Sequence, residues 1–160
     1  MQIAKVRTVK TPTRGTPRSA GLDFYVPDDL SMISDKLHGA WPQSFDTISI
    51  APGGSAFIPS GIKANIPDGH ALIAFNKSGV ALKKSLFIGA CVIDEDYQGE
   101  IHLHVVNVGN ETVSISAGEK LIQLVLVPVS YESVQVVDES LLFAQDSQRG
   151  SGGFGSTGDF

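Results

Sequence analysis

Gly89-Ala90-Cys91-Val92-Ile93-Asp94-Glu95-Asp96-Tyr97-Gln98-Gly99-Glu100 runs from a short apolar segment into three acids, a tyrosine and a glycine. Directly after it, Ile101-His102-Leu103-His104-Val105 alternates apolar and polar residues. Successive side chains of a strand point to opposite faces, so this alternation describes a half-buried β-strand. The two segments together predict a β-hairpin with an acidic approach to its tip. A carboxylate held near a buried edge there can serve as a general base. Taken alone, a solvated acidic turn is the preferred reading, because charge runs usually sit in water.

The same signals recur outward from this stretch. Ile3 to Val9 and Val113-Ser114-Ile115 alternate in the same way, and Ala71 to Phe75, Leu121 to Val127 and Val134 to Val137 read as further short strands. Turn residues separate them at Pro52-Gly53-Gly54, Pro67-Asp68-Gly69, Gly109-Asn110 and Ala117-Gly118. Helical periodicity is scarce: Asp28 to Leu37 predicts a short helix, and Glu139 to Ala144 about one turn and a half. Many short strands with Gly/Pro punctuation predict an all-β sandwich, jelly roll or barrel. Residues 28–46 are polar, irregular and hold Trp41, and they read as an insertion in a domain spanning residues 1–144. Residues 145–160 are glycine-rich, the composition of a flexible arm, yet they carry Arg149 and Phe154.

At 160 residues the chain fits one domain with a real core. It is 42% hydrophobic and 18% charged, an ordinary globular composition. A net charge of −5 argues against a nucleic-acid partner, which requires clustered Lys and Arg. The lone Cys91 excludes an internal disulfide and a cysteine-based zinc cluster. The N-terminus has no signal-peptide core and no apolar run reaches membrane-spanning length, so a soluble cytoplasmic protein is expected.

Asn76-Lys77-Ser78-Gly79 follows a buried-looking strand and reads either as a small anion nest or as an ordinary loop. In Arg149-Gly150-Ser151-Gly152-Gly153-Phe154-Gly155-Ser156-Thr157-Gly158, glycines let backbone N–H groups approach phosphates. Arg149 adds a planar fork for phosphate oxygens, and Phe154 a face on which a base can stack. No Gly-Lys-Ser/Thr closes this segment, so it is not a Walker loop. His102 and His104 share a strand face, but a zinc pair lacks a third ligand at suitable spacing. Cys91 has no evident partner base and reads as a small packed residue.

In order along the chain, five segments resemble the motifs of the homotrimeric all-β dUTPases. Ala20-Gly21-Leu22-Asp23-Phe24 is similar to the first, Lys77-Ser78-Gly79 to the second and the segment around Asp94 to the third. Gly118-Glu119-Lys120-Leu121-Ile122-Gln123-Leu124 is similar to the fourth, and the arm from Arg149 to the fifth. Lys77 and Lys120 stand where the family usually has arginine, and Cys91 where glycine is common. The 28–46 segment is longer than the family usually has.

The resemblance implies a jelly-roll-like β-barrel with a C-terminal arm, in a homotrimer whose active sites are shared between subunits. It implies a magnesium-dependent hydrolase of nucleotide metabolism that cuts dUTP to dUMP and pyrophosphate, limiting uracil incorporation into DNA and supplying dUMP for dTTP synthesis. Asp94 would activate a water for in-line attack on the α-phosphorus. Mg2+ would be held mostly by phosphates and waters, with Asp23 reaching it through water. Lys77, Ser78, Gly79 and Gln123 would contact phosphates. Cys91, Val92, Ile93 and His102 would read the uracil edge, and Tyr97 would lie beneath the deoxyribose. Arg149, Phe154, Gly155, Ser156 and Thr157 would close over the nucleotide. Two alternatives remain at this stage: a dCTP deaminase or bifunctional enzyme of the same fold, and a non-catalytic jelly-roll binding protein.

Overall fold

The computed structural model describes residues 1–30, 37–153 and 156. Two compact units emerge, 1–130 and 131–160. In the first, strands β1 (Gln2–Lys5), β2 (Leu22–Tyr25), β3 (Leu37–Ser44), β4 (Thr47–Pro59), β5 (Ile62–Asn65) and β6 (His70–Asn76) precede helix α1 (Ser78–Lys84). Strands β7 (Leu86–Ile88), β8 (Val92–Ile93), β9 (His102–Asn107), β10 (Val113–Ser116) and β11 (Lys120–Pro128) follow it.

Among the described residues the strands form three sheets. Five strands run β10-β4-β9-β7 with β3 added on β4, four run β2-β11-β6-β8, and β1 pairs with β5. Every ladder is antiparallel. One apolar core draws on both larger sheets: Phe24, Leu72, Leu121 and Leu124 from one, and Ile48, Ile58, Leu103 and Ile115 from the other. A face that is buried on one side only demands period-2 alternation, and β9 obeys it. Leu103, Val105 and Asn107 are buried while His102, His104 and Val106 are half-exposed. In β11, Leu121 and Ile122 are both buried because the pairing with β2 slips there, Lys120 facing Tyr25 but Ile122 facing Phe24. An extra residue in one strand of a pair is a bulge, and it resets the alternation. The result is an all-β, jelly-roll-like domain.

Several expectations are corrected. Ile3 to Val9 forms ladder pairs only as far as Lys5. Pro52-Gly53-Gly54 does not separate two strands but is a bulge within β4. The β3 register jumps there from His38 opposite Ser55 to Ala40 opposite Ile50, and Gly53 takes a φ of 72°. Of the helix expected over Asp28 to Leu37, residues 31–36 lie outside the described residues. Asp28 to Leu30 are non-helical, Leu30 donates its N–H to Phe45 O at 2.7 Å, and Leu37 begins β3. Within the described part of the long segment, Leu37–Ser44 is a strand laid on β4. Helix α1 was not foreseen, since its seven residues are too few to display a helical period.

The hairpin around the acidic stretch also differs. Its outgoing arm is β7, which pairs with β9 (Ile88 opposite Val105), extended by the Gly89 N–H donated to His104 O at 3.0 Å. Val92 and Ile93 instead cross to the other sheet and pair with Ile73 and Leu72 of β6. The acidic segment is thus a wide loop that touches both sheets.

In the second unit, Val134 to Val137 form no ladder among the described residues, and Val134 and Val136 are 94% and 93% exposed. Alternating apolar residues alone do not make a strand; the backbone needs a partner for its N–H and C=O groups. Glu139–Leu141 forms one 3-10 turn, capped by the Asp138 carboxylate accepting from Ser140 N–H at 3.0 Å.

Candidate active site

The wide loop and the strand that returns from it enclose a cavity of about 160 Å³ lined by Phe57, Ala90 to Asp94, Tyr97, Ile101 and His102. Asp94, Cys91, Val92, Ile93, Tyr97 and His102 are thereby brought together as expected. Phe57 joins them, on a strand that sequence reading did not recognise. Asp94 is exposed, and its carbonyl accepts the Tyr97 N–H at 3.2 Å, closing a tight turn between two residues that both line the cavity. The Tyr97 hydroxyl donates to Glu100 O at 3.0 Å. His102 Nδ1 donates to that same carbonyl at 2.8 Å, which fixes the proton on Nδ1. The His102 ring stacks on Phe57 with centroids 4.5 Å apart and planes 8° from parallel. His104 meets the other side of that cluster edge-on at 5.5 Å, and its Nδ1 accepts the Ala90 N–H at 2.8 Å. His102 thus lines the cavity while His104 holds two of its lining residues, Phe57 and Ala90, and among the described residues no group of three metal-ligating side chains forms.

A second constellation gathers where β2, β11 and β6 lie side by side. Asp23, Gln123 and Phe75 are paired across these three strands and so project from one face. The Asp23 backbone exchanges hydrogen bonds with Thr13, at 2.7 and 3.2 Å. Its side chain, 7% exposed, is clamped between Lys77, which follows β6, and Lys120, which opens β11 and lies 3.1 Å away. Gln123 Nε2 donates to Asn76 O at 3.0 Å. Gly21 is required beside it, because a Cβ there would stand 2.6 Å from Gln123 Oε1. Ser78 and Gly79 open α1 next to Lys77, both exposed. The first, second and fourth motif segments therefore converge, while none of Asp23, Lys77, Ser78, Gly79 and Gln123 lines the Asp94 cavity.

Burial pushes the Asp23 carboxyl up, but hydrogen bonds and charge from Lys77 and Lys120 outweigh it and hold the group below the usual carboxylate range. A depressed folded-state value contributes stability that is present above the unfolded value and lost as pH falls through the folded one. Asp23→Asn is expected to cost about 1–3 kcal/mol at neutral pH, since it breaks a buried charged hydrogen-bond network. That difference should shrink as pH falls below about 4, where the unfolded-state carboxylate protonates, and close only below the depressed folded-state value. Denaturant melts of both proteins across pH 3 to 7 check this; a difference independent of pH overturns it.

In the second unit, Arg149 Nε donates to Gly152 O at 2.9 Å and Ser156 N–H to Gly153 O at 3.1 Å, a run of tight turns. Phe154, Gly155 and Thr157 lie outside the described residues.

A cavity this small lies below the range of drug-sized pockets and admits one small ring. On a chain of net charge −5, it suits a free nucleotide better than a polymer. Residues 43–158 match the dUTPase family model. The deoxyuridine 5'-triphosphate nucleotidohydrolase of Bdellovibrio bacteriovorus is 42% identical over 140 residues, 78% of this chain and 91% of that one. The dUTPase of Staphylococcus bacteriophage 80alpha, solved with dUPNHPP, superposes with a TM-score of 0.78 at 24% identity, covering 98% of this chain and 97% of that one. A mutant dUTPase of phage phi11 of S. aureus, described with a structural Mg(II) ion, gives a TM-score of 0.68 at 22% identity, covering 86% and 96%. The chain belongs to the dUTPase family. It is a dUTP diphosphatase. Among the described residues no helix is long and apolar enough to cross a membrane.

Proposed function

We propose that Asp94 activates a water for in-line attack on the α-phosphorus of dUTP, releasing dUMP and pyrophosphate, with the uracil and deoxyribose held in the cavity beside it. The observation that carries this is that Asp94 and Tyr97 both line one small cavity of about 160 Å³. A carboxylate exposed to solvent at neutral pH is anionic and can accept the proton of an attacking water. The main chain of Cys91 to Ile93 and the His102 ring offer hydrogen-bonding groups to the uracil edge. Tyr97, anchored through its hydroxyl, presents its ring to the sugar and rejects a 2′-hydroxyl by contact, which discriminates more strongly than a lost hydrogen bond.

Lys77, Ser78, Gly79 and Gln123 bind the phosphates, Ser78 and the Gly79 N–H donating where charge develops as pyrophosphate leaves. Lysine in place of arginine supplies charge without a fork, so Lys77 acts as a point cation held by Asp23. The complete site is assembled between subunits, in a homotrimer; that these groups lie outside the Asp94 cavity of their own chain supports this reading. Arg149, Phe154, Gly155, Ser156 and Thr157 close over the bound nucleotide.

Magnesium suits this chain as an ion carried by the substrate. The described residues supply no cage for it, and both Asp23 oxygens already face lysines, so Asp23 reaches it only through water. When bound, Mg2+ neutralises the triphosphate and fixes its conformation.

A panel of dUTP, UTP, dTTP and dCTP, with Mg2+ and with chelator, tests the reading. Pyrophosphate release is expected from dUTP with Mg2+, at a kcat/KM at least about 10²-fold above the others. Ammonia release from dCTP, or equal hydrolysis of UTP, overturns it.

A further inference from the structure

We propose that Arg7 and Glu100 form a positioning clamp that holds Tyr97 and His102 in place and thereby sets the discrimination between deoxyribose and ribose. The clamp rests on the role given above to Tyr97. The Glu100 carboxylate receives the Arg7 fork side-on, Nε–H to Oε1 at 2.8 Å and Nη2–H to Oε2 at 3.1 Å. Its Oε1 also accepts the Gly61 N–H at 2.7 Å. The peptide carbonyl of the same residue accepts both the Tyr97 hydroxyl and His102 Nδ1–H. A carbonyl has two lone pairs, and here each holds one cavity wall. Any shift of Glu100 therefore moves Tyr97 and His102 together, and with His102 the Phe57 ring stacked on it.

Arg7 reaches this point from the N-terminal segment, 93 residues away along the chain. The approach depends on Gly61. Its φ of 74° suits glycine, and a Cβ there would stand 2.8 Å from Val9 Cγ1 and 3.1 Å from Arg7 Cβ. Val6 N–H donates to Gly61 O at 2.8 Å, so one glycine receives the segment and offers its own N–H to Glu100. The Glu100 side chain is 15% exposed and that of Arg7 35%, which shields the pair more than a freely solvated surface bridge. The geometry is a planar two-bond contact, which lysine cannot reproduce. Glu100 and Arg7 do not line the cavity; they act through the groups that do.

The test is steady-state kinetics with dUTP and UTP on the full-length wild type, Arg7→Met, Arg7→Lys, Glu100→Gln and Tyr97→Ala, with a melting curve for each. Arg7→Met and Glu100→Gln are expected to raise KM for dUTP about five- to tenfold with kcat within about twofold, and to cut the dUTP/UTP ratio of kcat/KM about tenfold. Arg7→Lys should fall between wild type and Arg7→Met. If Tyr97→Ala relaxes the ratio but Arg7→Met and Glu100→Gln leave it within about twofold of wild type, the clamp is overturned and the Tyr97 assignment stands. If the Arg7 and Glu100 variants lose melting temperature and kcat in parallel at an unchanged ratio, the pair is merely structural and the clamp is equally overturned. An unchanged ratio in Tyr97→Ala removes both assignments at once.

Discussion

Asp94→Asn is expected to bind a non-hydrolysable imido analogue of dUTP within about threefold of the wild-type affinity while kcat for dUTP falls about 10²–10⁴-fold, the usual contribution of a positioned general base. Asparagine keeps the shape of the side chain and can still hydrogen-bond a water, but it accepts no proton. The turn that holds the residue uses its carbonyl, which accepts the Tyr97 N–H at 3.2 Å, so the substitution leaves the backbone in place. Because the Asp23–Lys77–Gln123 cluster lies outside the Asp94 cavity of the same chain, the variant also probes the proposed sharing of sites. Mixing and reassembling Asp94→Asn with Ser78→Ala, each expected to be inactive alone, should restore part of the activity, since in the proposed trimer some mixed assemblies contain a site with both native residues. Full activity in Asp94→Asn alone overturns the mechanism. Failure of reassembled mixtures to recover any activity overturns the sharing of sites.

Removing residues 146–160 is the second large effect. In the proposed mechanism Phe154 of the arm would stack on the base, a contact worth about 1–3 kcal/mol. Arg149 would give a charged hydrogen bond to phosphate worth about 1.5–3 kcal/mol. Together these correspond to a fall in kcat/KM of about 10²–10⁴-fold. The fold should survive, because among the described residues every buried apolar residue of the core lies between Val9 and Leu124. Circular dichroism melts of the truncated and full chains should therefore superpose within about 2 °C, the change expected when no core contact is lost. Unfolding on truncation, or an unchanged kcat/KM, contradicts the role of the arm.

Much of the architecture was legible without coordinates. The alternation in Ile101 to Val105 reappears as buried Leu103 and Val105 beside half-exposed histidines, because a strand with one face on the core has no other stable pattern. The grouping of Cys91 to Asp94, Tyr97 and His102 was likewise foreseen, and the structure collects all of them around one cavity. What stayed hidden is non-local. The partner of Val92 and Ile93 is β6, on the far side of α1 and β7 in the chain, and nothing in their own residues names it. The Asp23–Lys77–Lys120 cluster and the Arg7–Glu100 pair join residues far apart in the chain, brought together only by sheet order. Val134 to Val137 shows the converse: the right residue types without a ladder.

Local chemistry by itself determined the strand periods, the turns at Pro67-Asp68-Gly69 and Ala117-Gly118, and the kinds of residue available for catalysis. Those properties follow from backbone sterics and side-chain polarity acting over a few residues. Only the tertiary structure decided that the Glu100 carbonyl accepts from both Tyr97 and His102, and that the Asp23–Lys77–Lys120 cluster stands outside the Asp94 cavity. Such arrangements depend on which strands pair and in what register, and pairing energy is settled by packing across the whole core rather than by any single segment.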